Sequence, residues 1–416
     1  MVVVGQGYVG LPLAMRAVAV GYDVVGFDLD EARVKRLQAG ESLVEDVSSD
    51  ALAAALASGR YRVSSDPSSC AGFDVAVIAV PTPLREGVPD LSYIEASAET
   101  ISGYVRPGVL VILESTTYPG TTEELVAPAL ENGSGLDAGS DFSLGYSPER
   151  IDPGNPTWTL VNTPKVVSGV DDASLAAVKA FYDTLVEQTI SVSGTREAEL
   201  TKLLENTFRH INIALVNELA MFAADLGIDV WEAIDAASTK PFGFMRFTPG
   251  PGAGGHCLPI DPSFLSWRVK RTLGQQFRFV ELANDVNDHM PDYVVRRIVA
   301  GLNTRRKPLH GSRILLLGLS YKRNTRDARE SPSLRVAELL LGMGAEVRAA
   351  DPDVLSEQVD PRIAVVEPTP EECRAADAVV LLVDHDAFDL DVVYLHARYV
   401  LDTRNRLRGG SNVERL

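Results

Sequence analysis

Cysteine is scarce: 416 residues carry three, Cys70, Cys257 and Cys373, far apart in the chain. No C-x-x-C or H-x-x-x-H spacing occurs, so neither a disulfide framework nor a zinc site is indicated, and no metal is expected. Long apolar runs are missing: none approaches the ~20 residues that span a bilayer, so no membrane partner is expected. A basic stretch leading into an apolar one is missing as well. The chain opens directly on Val2-Val3-Val4 and a glycine turn, which reads as a cytoplasmic protein whose short first strand lacks a few N-terminal residues. Positive charge is in deficit, 39 Lys and Arg against 57 Asp and Glu for a net of −18. Nucleic-acid surfaces need clustered cations, so that class of partner is argued against. A small anion held by a few local Arg and Lys residues stays open. The length suggests two or three domains.

Glycine is plentiful, and its placement is informative. Val2-Val3-Val4 runs into Gly5-Gln6-Gly7-Tyr8-Val9-Gly10, a strand followed by G-x-G-x-x-G, and a helix is expected over Leu11 to Val20. Gly5 permits the tight turn, Gly7 lets backbone reach a pyrophosphate, and Gly10 allows close packing of helix on strand. A second strand ends in Asp28, placed for a ribose 2′-hydroxyl, which favours NAD over NADP. Arg33, five residues on, tempers this, because it could also face an adenosine phosphate.

Further buried strands end in Pro81-Thr82-Pro83, in Glu114-Ser115-Thr116 and in Ser147-Pro148-Glu149-Arg150. Ligands of open parallel sheets sit at such strand ends, which makes Thr82, Thr116 and Glu149 candidates; turn chemistry alone would also place Ser, Thr and Pro there. From Thr195 to about Leu226 the pattern is helical, with Leu200, Leu203, Leu204, Ile211, Ala214 and Leu215 expected on one apolar face. Such a helix suits a spine between domains or a dimer seam. Lys202 and Asn206, spaced i, i+4, share a face and could hold an oxyanion, although a solvated face is the ordinary meaning of such a pair.

The run from Pro249 to Asp261 contains Gly250, Gly252, Gly254, Gly255 and then His256-Cys257. It reads as a shaped loop that gives way to an ordered segment at about Asp261. Helix is expected again from Phe277 to about Leu302, then a linker over 303–311, then a second α/β unit without a complete G-x-G-x-x-G.

Together these motifs resemble the nucleotide-sugar 6-dehydrogenases, the UDP-glucose, UDP-N-acetylhexosamine and GDP-mannose enzymes. The resemblance rests on Gly5 to Ala14, Glu114-Ser115-Thr116, Tyr146 to Glu149, Glu199 to Asn206, Gly254 to Asp261, Gly318 to Lys322 and Thr325 to Ser331. It implies an α/β fold with two Rossmann-like doubly wound domains joined by a helical domain with a long central helix. The expected domains are 1–194 for NAD, 195–302 for dimerisation and catalysis, and 303–416 for the nucleotide sugar.

The implied reaction is a four-electron oxidation of a C6 alcohol to a carboxylate with two NAD reduced, in a cytoplasmic homodimer built through the central helix. Cys257 would be the nucleophile and Lys202 with Asn206 the oxyanion holders. Asp261 with Thr116 would orient a water, and Glu149 would act in hydrolysis. The cofactor set would be Gly5, Gly7, Tyr8, Val9, Gly10, Asp28, Arg33, Thr82, Thr116 and Arg329. Substrate contacts would come from Glu149, Arg150, Lys202, Asn206, Arg246, Gly250, Gly252, Gly254, Lys322 and Arg404, with Arg246 reaching a neighbouring subunit's phosphates.

Two departures bear on substrate. Pro153 stands where UDP-glucose enzymes carry a second glutamate, and Thr239 to Phe244 replaces their arginine-containing segment. Both look more like the UDP-N-acetylglucosamine branch, and a UDP- or TDP-hexose of the glucose or N-acetylglucosamine type is expected. A two-electron hydroxyacid dehydrogenase or a non-catalytic NAD-binding protein are the competing readings; neither needs a cysteine in a glycine loop.

Overall fold

Val2–Val4 (β1) is β-branched at every position and buried along its length, the composition of a central parallel strand. The structure is a computed structural model that describes all residues except Glu86, Pro153, Gly154, Pro156, His256 and Cys257. The chain divides into two units. The first comprises Met1–Glu205 with Ser263–Thr272, and the second Asn206–Pro262 with Leu273–Leu416.

In the first unit, β1 is followed by α1 (Gly10–Ala19), β2 (Val24–Phe27), α2 (Glu31–Gln38), α3 (Ser49–Ala57), β3 (Tyr61–Ser64) and β4 (Val75–Ile78). A small antiparallel hairpin, β5 (Leu84–Arg85) and β6 (Val88–Pro89), precedes α4 (Ser92–Ser102). Then come β7 (Leu110–Leu113), α5 (Ala127–Ser134), β8 (Ser143–Tyr146), β9 (Lys165–Gly169), α6 (Asp172–Tyr182) and β10 (Thr189–Ser191). The sheet order is β10-β9-β8-β7-β4-β1-β2-β3. Its inner part is the doubly wound 3-2-1-4-5-6 arrangement of dinucleotide-binding sheets. Val3 sits opposite Gly26 on one side and Val77 on the other. Alternation then sends Val3, Val77 and Ile112 to one face against Leu11 of α1, and Val4, Ile78 and Leu113 to the other against Ile94 of α4. β9 runs antiparallel to β8 and adds β10 beyond it, an extension that the strand pattern alone did not show.

Helix α7 (Thr195–Leu226) spans the residues that its periodicity predicts. Its apolar residues do not share one face. Leu203 and Ala214 are buried, whereas Leu200, Leu204 and Leu215 are exposed. The pattern therefore encodes two apolar stripes. The second unit continues with α8 (Val230–Ser238), and α9 (Asp261–Leu273) starts where the glycine loop was expected to give way. α10 (Arg278–Thr304) follows. The second sheet is built from β11 (Arg313–Leu317), α11 (Pro332–Gly342), β12 (Glu346–Ala350), β13 (Ala364–Val365), α12 (Pro370–Ala375), β14 (Ala378–Leu381), α13 (Leu390–His396), β15 (Val400–Asp402) and β16 (Val413–Arg415). Its order, β13-β12-β11-β14-β15-β16, repeats the first topology with every pair parallel. Among the described residues no helix is long and apolar enough to cross a membrane.

Candidate active site

The glycine turn after β1 has the shape that a dinucleotide needs. Gly5 lies at φ +91°, and a Cβ there would come within 2.4 Å of the Ala79 carbonyl. A Cβ on Gly10 would lie 1.8 Å from the Gly5 carbonyl, whereas one on Gly7 meets no atom within 4 Å. Gly5 and Gly10 are thus required by the fold, and Gly7 faces open space at the N-terminus of α1, where N–H groups await an anion. Tyr8, in the same turn, is exposed. Asp28, buried at the end of β2, accepts from Gln6 N–H at 2.8 Å and from Asp30 N–H at 3.0 Å. Arg33 donates to the same carboxylate at 2.9 Å. Arg33 is thereby tied to the acid that marks the ribose end. The residues present fit NAD.

Thr82, Thr116 and Glu149 lie just beyond β4, β7 and β8, with Thr82 and Glu149 buried. Ser115 locks two of these strand ends together, accepting from Val80 N–H at 2.9 Å and donating to Val80 O at 2.8 Å. Glu149 accepts from Ile151 N–H at 2.6 Å and lies 3.4 Å from the Lys165 ammonium. Lys165 also pairs with Glu114, which accepts from the Tyr182 hydroxyl at 2.8 Å. Sequence reasoning missed Lys165, Glu114 and Tyr182 as site residues. The available signal was a lysine opening an otherwise small and apolar strand, Lys165-Val166-Val167-Ser168-Gly169. Lys202, on the first half of α7, is buried as well, so the solvated-face meaning of the Lys202–Asn206 pair does not hold.

In the second unit the structure joins two residues predicted independently. Asn206 Nδ2 donates to Asp261 Oδ2 at 2.6 Å, with both side chains buried. Further along α7, Asn217 accepts from Gly250 N–H at 2.9 Å and donates to Asn287 at 2.9 Å. This buried amide ladder anchors the glycine loop and was not legible in the sequence. Cys257 and His256 lie outside the described residues, as does Pro153.

The loop glycines have a reason different from ligand access alone. A Cβ on Gly250 would fall 2.6 Å from the Arg404 guanidinium, one on Gly254 2.6 Å from Pro332, and one on Gly252 2.9 Å from the Asn287 carbonyl. The loop packs against its own unit too closely for side chains. Arg404 is fixed by a bond from Nε to Leu382 O at 2.6 Å, and among the described residues no carboxylate hydrogen-bonds its guanidinium. Burial works against its charge, and the nearby Asp384 and Asp402 carboxylates offset this only in part.

Lys322 sits in a turn braced by Ser320, whose hydroxyl donates to Lys322 O at 2.8 Å, and by His385, which accepts from Asn324 N–H at 3.1 Å. Asp351 at the end of β12 matches Asp28 in position, yet its oxygens accept from Leu319, Ser320, Asp353 and Val354 N–H groups and face His385. Asp351, Asp353 and His385 lie close enough to share an ion, and of the three Asp351 and His385 are already engaged by these hydrogen bonds. Both strand-end aspartates are tied by N–H groups of the turns around them; Asp28 faces Arg33 in addition, and Asp351 faces His385.

Three expected arginines are held by carboxylates. Arg150 pairs with Glu205 at 2.6 Å, Arg329 with Asp327 at 2.7 Å and Arg246 with Asp235 at 2.5 Å. Cys70 and Cys373 are buried thiols in the two cores, as expected of small apolar residues.

Comparison with known proteins decides what this arrangement belongs to. Residues 1–186 match the NAD binding domain of the UDP-glucose/GDP-mannose dehydrogenase family, 196–289 its central domain and 315–409 its UDP binding domain. The chain belongs to that family. It is an NAD-dependent nucleotide-sugar dehydrogenase, and the competing hydroxyacid-dehydrogenase and non-catalytic readings have no support.

Within the family it is 37% identical to the UDP-N-acetyl-D-mannosamine dehydrogenase of Pyrococcus horikoshii over 93% of this chain and 89% of that one. It is 33% identical to the Escherichia coli K12 protein of the same name over 97% of both. A solved UDP-D-ManNAc dehydrogenase from Pyrococcus horikoshii superposes with a TM-score of 0.89 at 33% identity, covering 100% of this chain and 99% of that one. The family's two Rossmann-like domains and helical centre are the architecture described above.

Proposed function

We propose that this family member oxidises the C6 alcohol of a UDP-N-acetylated hexosamine, UDP-N-acetylmannosamine first among them, to the uronic acid by way of a thioester on Cys257. The substrate part is supported by the names of its full-length relatives. It moves the expectation away from UDP-glucose and TDP-hexoses, in the direction that Pro153 and the Thr239 to Phe244 segment already leaned. The chemical part is carried by the buried Asn206–Asp261 hydrogen bond. A carboxylate four residues past Cys257 in sequence, fixed to a carboxamide of α7, suits a water-orienting group beside an oxyanion holder.

NAD, when bound, would supply the acceptor for one hydride, so each sugar consumes two NAD in turn. The first oxidation gives the aldehyde. The Cys257 thiolate adds to the aldehyde carbon, and Lys202 and Asn206 steady the resulting oxyanion. Loss of the second hydride leaves the thioester. Water, positioned by Asp261 and Thr116, gives a proton to Glu149 as its oxygen bonds to the acyl carbon and the C–S bond breaks, returning the thiolate. Lys322 and Arg404 hold the nucleotide diphosphate.

The test is stoichiometric. UDP-N-acetylmannosamine should yield two NADH per sugar and be preferred over UDP-N-acetylglucosamine, UDP-glucose, TDP-glucose and GDP-mannose. One NADH per sugar would defeat the four-electron reading, and preference for UDP-glucose would defeat the substrate assignment.

The exposed stripe on α7 supports a homodimer. Leu204, Phe208, Leu215, Leu219, Phe222 and Leu226 recur at spacings of three, four or seven, which places them on one side of the helix, and each is at least 45% exposed. A Leu215→Asp/Leu219→Asp variant should halve the mass seen by light scattering. An unchanged dimer would remove α7 as the seam, and a monomeric parent protein would remove the dimer.

A further inference from the structure

The first unit buries a cluster of four ionisable side chains of which the proposed chemistry uses only Glu149. Lys165 Nζ, 4% exposed, lies between Glu114, fully buried, and Glu149, 11% exposed, while the Tyr182 hydroxyl closes the far side of Glu114. Lys165 faces both carboxylates and Lys202 faces Glu149 as well, so Glu114 is the less compensated of the two, and burial makes its charge costly. Burial, opposed by Lys165 and reinforced by Glu149, pushes the Glu114 carboxyl up to about 7. Glu149 takes the other course. Burial would raise it, but Lys165, Glu114, the facing Lys202 ammonium and Ile151 N–H together hold it below the usual carboxylate range. Burial presses the Lys165 ammonium down, yet its two carboxylates more than offset this and it stays charged. Tyr182 stays neutral, pushed up by burial and by Glu114.

We infer that Lys165 is a positioning residue for thioester hydrolysis: seated between Glu114 and Glu149, it keeps the Glu149 carboxylate ionised and in place to take the proton of the attacking water. Glu114 completes the device. It holds the lysine by the shorter of its two ion pairs, lies in hydrogen-bonding contact with Glu149, and absorbs the proton that the cluster must carry, so that Glu149 need not. Lys165 favours the ionised form of both carboxylates, and Lys202 and Ile151 N–H act on Glu149 besides, so Glu149 is the one that keeps its charge. The inference rests on the reading that Glu149 serves in hydrolysis.

The test follows the acyl-enzyme by rapid quench and intact mass with UDP-N-acetylmannosamine and NAD, after pH jumps to values from about 3 to 9, a window that starts below the ordinary carboxylate range. In Lys165→Met the rising limb of the breakdown rate should move up by at least about one pH unit, the scale of an opposite charge at this distance, and acyl-enzyme should accumulate below it. That variant strands a buried carboxylate and could fail to fold. The Lys165→Met/Glu114→Gln double variant keeps the question answerable: without the second anion its limb should fall between those of Lys165→Met and the parent, or above the parent alone if the single variant is lost. Limbs that coincide with the parent while acyl-enzyme still forms would reduce Lys165 to a structural brace. Glu149→Gln separates that failure from failure of the underlying reading. It should trap acyl-enzyme, and if none accumulates the hydrolysis role of Glu149 falls and this inference with it.

Discussion

Cys257→Ala should lower uronic-acid formation by about 10³-fold or more, the scale on which removal of a nucleophile is felt. The size of the effect follows from what the second oxidation needs. An aldehyde has no group on its carbon that makes hydride loss lead to an acyl product; adding a nucleophile creates one. A free thiol is a few per cent thiolate at neutral pH, and thiolate is strongly nucleophilic, whereas a serine hydroxyl has almost no anion to offer. Cys257→Ser should therefore be nearly as impaired as the alanine variant. Any acyl-enzyme it forms is an ester, which hydrolyses more slowly than a thioester. The measurement is uronic acid by mass spectrometry together with NADH per sugar consumed. A Cys257→Ser protein that turns over four electrons at the parent rate would end the thioester mechanism. The buried Asn206–Asp261 pair sharpens the expectation, because an alanine at 257 leaves that machinery in place without an adduct to act on.

The sequence disclosed the parts of this protein that obey local rules. The strand and turn through Gly10 are found as read, and α7 has the bounds that its period predicts. Lys202 and Asn206 were legible as a pair by their spacing, but not as buried residues, since spacing does not say which way a helix face turns. The Lys165–Glu114–Glu149 cluster was illegible for a related reason. Its members lie 51 and 16 residues from the lysine, and each alone resembles an ordinary polar strand end. The antiparallel β9 that brings Lys165 there breaks the βαβ alternation of the strands before it. The glycine loop was recognised as functional for a partial reason. Access for a sugar explains why glycine is acceptable, while the φ of +130° at Gly252 and the contacts of Gly252 with the Asn287 carbonyl and of Gly254 with the Glu330 carbonyl and Pro332 explain why it is required. Arg150, Arg246 and Arg329 each carry a carboxylate partner that their place beside a motif did not disclose.

Two alanine substitutions in the first glycine turn should fail in opposite ways, and the contrast tests the cofactor cradle directly. Gly10→Ala should destabilise the first unit by about 3 kcal/mol or more, at the upper end of overpacking costs. Its Cβ would sit 1.8 Å from the Gly5 carbonyl and 3.2 Å from Val3 Cγ1. The first obstacle is backbone, which cannot swing aside as a side-chain tip can. Gly5 cannot retreat either, because its amide is bound to Phe27 O at 2.8 Å and it lies close against Ala79. Helix α1 must instead lift from β1, exposing Leu11 and Leu13 of the core. For a unit of this size the melting point should fall by roughly 6–12 °C, with loss of activity following the loss of fold.

Gly7→Ala meets no protein atom, so its melting point should stay within about 2 °C of the parent. Its methyl group would occupy the approach to the N-terminus of α1, and the Michaelis constant for NAD should rise at least about tenfold, equivalent to about 1.4 kcal/mol, with that for the nucleotide sugar little changed. If Gly7→Ala bound NAD like the parent, the pyrophosphate would have to lie elsewhere, and the turn would be a packing motif only. If Gly10→Ala kept its melting point, the close contact between α1 and the turn would not be what seats the helix.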